Sequence, residues 1–189
     1  MFSLPLKIAA LMRNFQSDWF IAGGWAIDLY LGKISRPHVD IEIAIFRRDQ
    51  IALQNYLNDW VLQKIDDSVS SVWNRNEFLE LPVHEIHCFH KTSELRNFEV
   101  LLNENNENEW IYRRNERVTK PLTKIYSTTD SGIKFLRPEI VLLYKSKNPR
   151  AKDKQDFESV VKRLDAESKK WLGNALTICD SKHDWLQKL

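Results

Sequence analysis

The sequence predicts an α/β (α+β) fold in which helices flank a mixed β-sheet and a helical segment follows at the C-terminal end. Short apolar and alternating segments come between helical patterns in the first two thirds of the chain, and the pattern is purely helical from Pro138 onward. The 189 residues, of which 43% are hydrophobic, suffice for one domain with a sizeable core. We therefore expect a core at residues 1–137 and a helical extension, packed on the core, at residues 138–189.

The elements before residue 66 follow one another closely. Leu6 to Phe15 carries apolar residues at helical spacing, and Trp19 to Ala22 is a short apolar strand. The pair Gly23-Gly24 then turns the chain into a helix over Trp25 to Leu31, with the next residue, a glycine, as its C-cap. The alternating residues of Val39 to Phe46 predict a second strand. Two further elements complete this part, namely a helix over Asp49–Leu57, with Asp49 as N-cap, and a strand over Trp60–Ile65.

The rest of the chain continues this pattern. Pro82 to His90 and Asn97 to Asn103 both alternate, and the polar residues between them predict a hairpin. Residues 103–108, rich in Asn and Glu, are predicted as a loop, and short strands are predicted over Trp110–Arg113 and Lys124–Thr128. Pro138 suits the first position of a helix. Three helices are predicted from there on, over Glu139–Lys145, Asp153–Leu164 and Ser168–Ile178.

The composition excludes several classes of protein. The formal net charge is only +2, so no basic surface for nucleic acid is expected. The N-terminal residues lack the apolar stretch of a signal peptide, and no apolar run approaches a membrane span. Cys88 and Cys179 are far apart and match no metal or redox spacing, which fits a reducing cytoplasm. We therefore expect a cytoplasmic protein with neither nucleic-acid nor membrane partners. Its oligomeric state is not predicted.

Two motifs carry chemistry. Gly23-Gly24 precedes a helix, where unpaired amide groups favour phosphate oxygens and glycine lets a ligand approach the backbone. Asp40 and Glu42 lie one residue apart in an alternating segment, so both side chains leave the same face of the predicted strand. Carboxylate oxygens are ligands that Mg²⁺ or Mn²⁺ prefers, and these ions also bind phosphate. Together the motifs indicate chemistry on a nucleoside triphosphate.

The same two motifs carry a resemblance to a known family. Residues 23–28 (Gly-Gly-Trp-Ala-Ile-Asp) and 36–43 (Arg-Pro-His-Val-Asp-Ile-Glu-Ile) resemble the opening of the nucleotidyltransferase fold. They are most similar to the aminoglycoside and lincosamide nucleotidyltransferases, the antibiotic-adenylylating branch. Stretches similar to this branch continue downstream, at residues 98–104, 137–140, 143–145, 152–157 and 183–186. The resemblance covers most of the chain and implies that residues 1–137 are a nucleotidyltransferase catalytic core.

The resemblance implies a metal-dependent reaction. AMP, taken from ATP as donor, is transferred to a hydroxyl of a small-molecule acceptor, here an aminoglycoside or a lincosamide, and pyrophosphate is released. Asp40 and Glu42 take the positions that hold Mg²⁺ (or Mn²⁺) in this branch. A third carboxylate from a neighbouring strand acts as metal ligand or general base. We assign it to Glu99, because a lone carboxylate on an apolar strand is costly without a partner. The alternative for Glu99 is an exposed position on a half-solvated strand, and Glu85 and Glu104 are weaker candidates.

The predicted nucleotide-binding residues are Gly23, Gly24, Arg36, His38, Lys145 and Lys147. The two glycines would hold the β- and γ-phosphates. Lys145, with Lys147 beside it, would neutralise the leaving pyrophosphate, although a cation at a helix C-terminus also complements the helix dipole. Arg36 is either an auxiliary phosphate contact or a surface charge. His38 either touches the nucleotide or fixes the turn after Pro37.

Other functions fit parts of the sequence. A non-catalytic or toxin–antitoxin-type nucleotidyltransferase scaffold would act through a protein partner, but the presence of all three carboxylates argues against it. A third hypothesis is modification of a protein or of a transfer-RNA end.

The acidic residues 103–109 would suit a cationic acceptor if they lay near the cleft. His84, Cys88 and His90 share a strand face, which suggests either a zinc site or a polar strand edge.

Overall fold

The structure is a computed structural model that describes residues 2–189. Within this range the helices are α1 (Ser3–Leu11), α2 (Gly23–Leu31), α3 (Gln50–Tyr56), α4 (Pro138–Ser146), α5 (Ala151–Val161) and α6 (Ala166–Cys179). The strands are β1 (Trp19–Ile21), β2 (Glu42–Phe46), β3 (Val61–Asp66), β4 (Val69–Val72), β5 (Glu85–Phe89), β6 (Asn97–Asn105), β7 (Glu109–Ile111), β8 (Thr119–Pro121), β9 (Tyr126–Thr128) and β10 (Lys134–Leu136).

The strands form a mixed sheet in the order β4-β3-β5-β6-β2-β1-β10-β9. The pairs β1–β10 and β2–β6 are parallel, and the remaining pairs are antiparallel. Strand β7 pairs with the end of β6 and with β8. The register sets Glu42 of β2 beside Glu99 of β6, and Glu99 beside His87 of β5. The predicted α/β fold with a mixed sheet is confirmed, and its centre carries a row of polar side chains.

The predicted elements are present with shifted ends. Gly32 caps α2 in the left-handed conformation at φ 70°, and Pro138 occupies the start of α4. Strand β2 begins at Glu42 rather than at Val39, whose side chain is 99% exposed. Asp40 therefore lies just before the strand, where its backbone oxygen accepts a hydrogen bond from the indole of Trp25 at 3.0 Å. Strands β4, β8 and β10 are only three or four residues long and were not predicted from the sequence.

The predicted loop over residues 103–108 is shorter in the structure. Strand β6 continues to Asn105 because β7 pairs with it, with Glu104 opposite Ile111. Only the turn that follows Asn105 lies outside a strand, and its shape is held by the side chain of Asn106, which accepts bonds from the amides of Asn108 and Glu109.

One hydrophobic core includes residues from both predicted parts of the chain. Ile41, Ile43 and Ile45 are buried, as their alternation with Asp40 and Glu42 predicted, and Leu143 of α4 joins the same core. Burying one such side chain stabilises a fold by about 1.5–3 kcal/mol. The division at residue 138 stays a prediction. Within residues 2–189, every helix is too short or too polar to serve as a membrane span.

Candidate active site

One cavity of about 410 Å³ is lined by every residue that the sequence analysis assigned to the site. These residues are Gly23, Gly24, Arg36, His38, Asp40, Glu42, Glu99, Lys145 and Lys147. They come from α2, from the connection before β2, and from β2, β6 and the end of α4. The fold thus brings residues from widely separated parts of the sequence to one place. Their individual roles stay predictions.

The three carboxylates line the same cavity. Glu42 and Glu99 are direct neighbours on the parallel strands β2 and β6, and Asp40 precedes Glu42 by two residues. Burial raises the pKa of Glu42, and the nearby charge of Asp40 adds to that effect. Burial also raises the pKa of Glu99 to about 7, with further contributions from Glu42 and Asp40. Such crowding of negative charge is relieved by a cation, and the all-oxygen set fits the preference of Mg²⁺ or Mn²⁺.

The Gly23-Gly24 turn allows two close approaches at the edge of the carboxylate set. Gly23 has a φ of +54°, and a Cβ on it would lie 1.4 Å from Oε2 of Glu42. A Cβ on Gly24 would lie 2.4 Å from Nη2 of Arg36 and 2.6 Å from Cε1 of His38. A side chain at either position would therefore displace these groups, and at Gly23 it would also have to adopt a positive φ. Helix α2 begins at Gly23, two residues earlier than predicted, so the amides of its first turn lie beside Glu42.

His38 is held from three sides. Its ring lies 4.6 Å from the ring of Trp25, its Nε2 is 2.6 Å from Oδ2 of Asp28, and its Nδ1 is 3.2 Å from Nη1 of Arg36. Because the arginine donates to Nδ1, Nε2 carries the proton that the Asp28 carboxylate accepts. Asp28 is fully buried and also accepts from the amide of Ser35. These contacts hold the ring in the connection before Asp40, and His38 also lines the cavity, so the choice between a nucleotide contact and a turn-fixing role stays a prediction.

Three cations at this end of the cavity share two buried carboxylates. Arg36 donates Nε and Nη2 to Asp156 at 2.9 and 3.0 Å. Lys145 donates to Oδ1 of Asp153 at 2.9 Å and lies 3.0 Å from Oδ2 of Asp156. Arg150 donates to Asp153 at 2.9 Å. Burial alone would raise the pKa of Asp153, but the bonds from Arg150 and Lys145 outweigh it and hold the pKa at about 2.

Several residues of the cavity were missed from the sequence. Arg113 and Arg114, in the turn after β7, line it together with Tyr144 and Arg150. An arginine pair after a short strand looks like an ordinary surface charge, so no pattern marked it. His87, although not in the cavity wall, bonds Glu85 at 2.7 Å and lies 3.7 Å from Oε1 of Glu99.

The proposed zinc ligands do not come together in residues 2–189. Cys88 is fully buried, which raises the pKa of its thiol. The ring nitrogen Nδ1 of His84 bonds the backbone oxygen of Pro82 at 2.8 Å, and His90 lies 3.5 Å from Asp59. The possible metal-binding group in the described part of the chain is instead Glu85, His87 and Glu99, whose ligand atoms lie within 4.8 Å of one another.

Comparisons with known proteins point to one family. The family model of aminoglycoside-2''-adenylyltransferase matches residues 5–159. The crystal structure of the lincosamide antibiotic adenylyltransferase LnuA with lincomycin bound is 18% identical over 82% of this chain and 92% of that chain, with a TM-score of 0.57. The crystal structure of ANT(2'')-Ia in complex with adenylyl-2''-tobramycin is 13% identical over 94% of this chain and 98% of that chain, with a TM-score of 0.62.

The solution structure of ANT(2'')-Ia gives the same result, with 15% identity over 98% of this chain and 94% of that chain and a TM-score of 0.61. No curated protein shows a significant match to the chain. At these identities the likeness to the solved structures shows the fold, while the family rests on the match over residues 5–159.

Proposed function

Because the chain belongs to the aminoglycoside-2''-adenylyltransferase family, we propose that it transfers AMP from ATP to a hydroxyl of a small molecule and releases pyrophosphate. The first acceptors to test are an aminoglycoside and a lincosamide, since the solved structures that share its fold contain adenylyl-2''-tobramycin and lincomycin. The single observation that carries the proposal is the row of Asp40, Glu42 and Glu99 beside the Gly23-Gly24 turn in one cavity.

Asp40 and Glu42 are the residues that would hold Mg²⁺ or Mn²⁺. When bound, such an ion neutralises phosphate charge and makes the α-phosphorus more electrophilic. Glu99 completes the set as a further ligand or as the base that takes the proton of the acceptor hydroxyl. Glu42 is fixed for this task because its carboxylate packs against Gly23 and its backbone oxygen accepts the amide of Ala22 at 2.8 Å.

The nucleotide phosphates would lie along the start of α2 and the neighbouring cations. Amides at a helix N-terminus carry partial positive charge and suit the β- and γ-phosphates. Lys147 and Lys152 line the cavity, and within residues 2–189 neither forms a salt bridge. Lys145 and Arg36 already bind carboxylates, so their contribution to phosphate binding would be to add to the positive potential.

The test is a transfer assay with ATP, Mg²⁺ and either tobramycin or lincomycin, read by pyrophosphate release and by the mass of the acceptor. Asp40→Asn should lower the rate by about a thousandfold or more, because one metal ligand is lost. Its melting temperature should stay close to wild type, since Asp40 is exposed. The matched control is Asp66→Asn at the exposed end of β3. An Asp40→Asn variant that transfers AMP at the wild-type rate would refute the assignment of Asp40 to the metal site.

Two further proposals go with this function. Residues 138–189 act as a helical extension that supplies Lys145, Arg150 and Lys152 to the cavity. The cytoplasm, where ATP and Mg²⁺ are available, is the proposed location. The family match does not favour a non-catalytic scaffold that binds a protein. That scaffold predicts no melting-temperature increase with any nucleotide and Mg²⁺, whereas a bound donor raises it by mass action.

A further inference from the structure

A second cationic region lies at the other end of the cavity. We call residues 112–115 the arginine loop. The side chains of Arg113 and Arg114 both line the cavity. Within residues 2–189, neither arginine forms a salt bridge, and the guanidinium of Arg113 makes no hydrogen bond, although its carbon lies 5.7 Å from the centre of the Tyr144 ring. A cation of this kind lacks the counter-charge that a half-buried arginine normally has.

The loop is held firmly in place. The amide of Asn115 donates to the backbone oxygen of Tyr112 at 2.9 Å, and the amide of Tyr112 donates to Val118 at 2.9 Å. Tyr112 is buried and packs against Tyr144 with ring centres 4.9 Å apart. Arg114 donates Nη1 to the backbone oxygen of Tyr144 at 2.8 Å. The loop backbone and the Arg114 guanidinium are thus positioned before any ligand binds.

No carboxylate of the cavity neutralises this loop. Glu85 accepts from His87, Asp153 accepts from Lys145 and Arg150, and the other three carboxylates form the proposed metal site. Residues 103–109 would suit a cationic acceptor only if their carboxylates lay near the cleft, and of this segment only the uncharged Asn103 lines the cavity. Glu104 instead binds Arg47 at 2.7 Å. Burial lowers the pKa of Arg113, but an arginine stays protonated at physiological pH.

The loop is within reach of a molecule that lies at the carboxylates. Glu99, Leu101 and Asn103 alternate along β6 on one face, and Leu101 and Asn103 line the cavity. Asn103 lies four residues beyond Glu99, about 13 Å along the strand. The hydroxyl of Tyr144 reaches Oδ1 of Asn103 at 3.4 Å, so the arginine loop adjoins this end. Gly23 and its helix start lie against Glu42, the register partner of Glu99, and thus at the Glu99 end of this stretch.

We propose that the arginine loop is an oxyanion subsite of the acceptor pocket, so that the preferred acceptor carries a phosphate or carboxylate at the end away from the hydroxyl that receives the nucleotide. The inference rests on the proposed function, because it requires the acceptor hydroxyl to lie near Glu99. It narrows the class of acceptors, because a polyamine such as tobramycin would bring positively charged ammonium groups toward two positively charged arginines. Guanidinium groups bind both kinds of oxyanion through paired hydrogen bonds.

The test measures binding to the complex with Mg²⁺ and a non-hydrolysable ATP analogue, by calorimetry and thermal shift. The probes are inorganic phosphate, glucose 6-phosphate, glucuronate, glucose and tobramycin. We expect glucose 6-phosphate and glucuronate to bind at least about tenfold more tightly than glucose, because each adds a charge-assisted contact. Arg113→Gln should abolish this preference and leave the affinity for the ATP analogue unchanged. Arg117→Gln, at an exposed position between β7 and β8, is the matched control.

The remaining outcomes separate the two proposals. Tighter binding of tobramycin than of glucose 6-phosphate, or an anion preference that survives Arg113→Gln, would overturn the subsite. Displacement of the ATP analogue by phosphate or glucose 6-phosphate would assign the anion to the donor site and also overturn it. Failure of the wild type to bind the analogue with Mg²⁺ would refute the proposed function itself. If Arg113→Gln does not fold, Arg113→Lys and Arg114→Gln replace it, and each should weaken the preference.

Discussion

Both ends of the cavity hold cations, but the cations are neutralised differently at the two ends. At the glycine-turn end, which contains the Gly23-Gly24 pair, Arg36 and Lys145 bind the buried carboxylates of Asp153 and Asp156. At the arginine-loop end, Arg113 and Arg114 bind no carboxylate of the described chain. Because the paired cations already bind carboxylates, they stabilise the fold and are less available to a ligand. Within residues 2–189 the unpaired cations are free of carboxylates and therefore available to an anionic ligand.

Asp156→Asn is expected to give the largest effect and tests whether the cations at the glycine-turn end depend on their carboxylates. This change leaves Arg36 and Lys145 without the charge that both contact, and side chains at this buried site cannot be fully hydrated. We expect the free energy of unfolding to fall by about 3–5 kcal/mol. Denaturant titration measures it, with the exposed Asp66→Asn as control. A loss below about 0.5 kcal/mol would show that the two cations reach water when Asp156 is neutral.

Gly23→Ala tests the geometry of the same end. The new Cβ would collide with Oε2 of Glu42 and the residue would keep a positive φ, so the carboxylate must move. We expect the rate of AMP transfer to fall by about a hundredfold. Gly32→Ala is the matched control, because it has the same sign of φ but no atom within 4 Å of the added Cβ. It should cost only about 1 kcal/mol of stability, with transfer unchanged. Equal transfer rates in both variants would contradict the proposed role of the turn.

The pH dependence of stability should reveal the pairing of Asp153. Its pKa in the folded protein is about 2, below the ordinary value of 3.8, so the folded state binds this proton less readily. The stabilisation is therefore complete above about pH 4 and is lost as the pH falls toward 2, by about 2 kcal/mol. The measurement is the difference in unfolding free energy between wild type and Asp153→Asn. A difference that stays constant from pH 5 to pH 2 would contradict it.

The smallest effect is expected at the other end. Arg113→Gln removes a cation with no salt bridge and no hydrogen bond, so the free energy of unfolding should change by less than about 0.5 kcal/mol in either direction. Arg36→Gln, which removes the bidentate partner of Asp156, should cost several times more. The same denaturant titrations give both values. Equal losses in the two variants would mean that the two ends do not differ in this way.

The sequence was sufficient to predict which side chains are buried where burial depends on the local alternation of residues. Alternation placed Asp40 and Glu42 on one side with Ile41 and Ile43 on the other, and the structure buries both isoleucines. Glu99 was assigned from the resemblance and from the cost of a lone carboxylate, and the structure places it directly beside Glu42. Roles for these residues stay predictions, and the proximity of Glu42 and Glu99 follows from the register of β2 and β6.

The remaining features of the site were not predicted because they depend on contacts between residues that are distant in sequence. Asp156 is separated from Arg36 by 120 residues, and an acidic residue in the first turns of a helix is common for local reasons. Arg113 follows β7, which pairs with the end of β6, and that end of β6 falls within the predicted loop over residues 103–108. Strands of three residues, such as β8 and β10, are too short to show alternation.

The indole of Trp25 has a consequence for observing the reaction. It lies 4.6 Å from the ring of His38 and donates to the backbone of Asp40, so its electronic surroundings change whenever the carboxylate set or the histidine moves. Tryptophan emission responds to such changes. The chain contains 7 tryptophans, and a Trp25→Phe difference spectrum isolates this one. This indole would therefore serve as an optical reporter of the proposed donor and metal binding and would allow stopped-flow kinetics without a label.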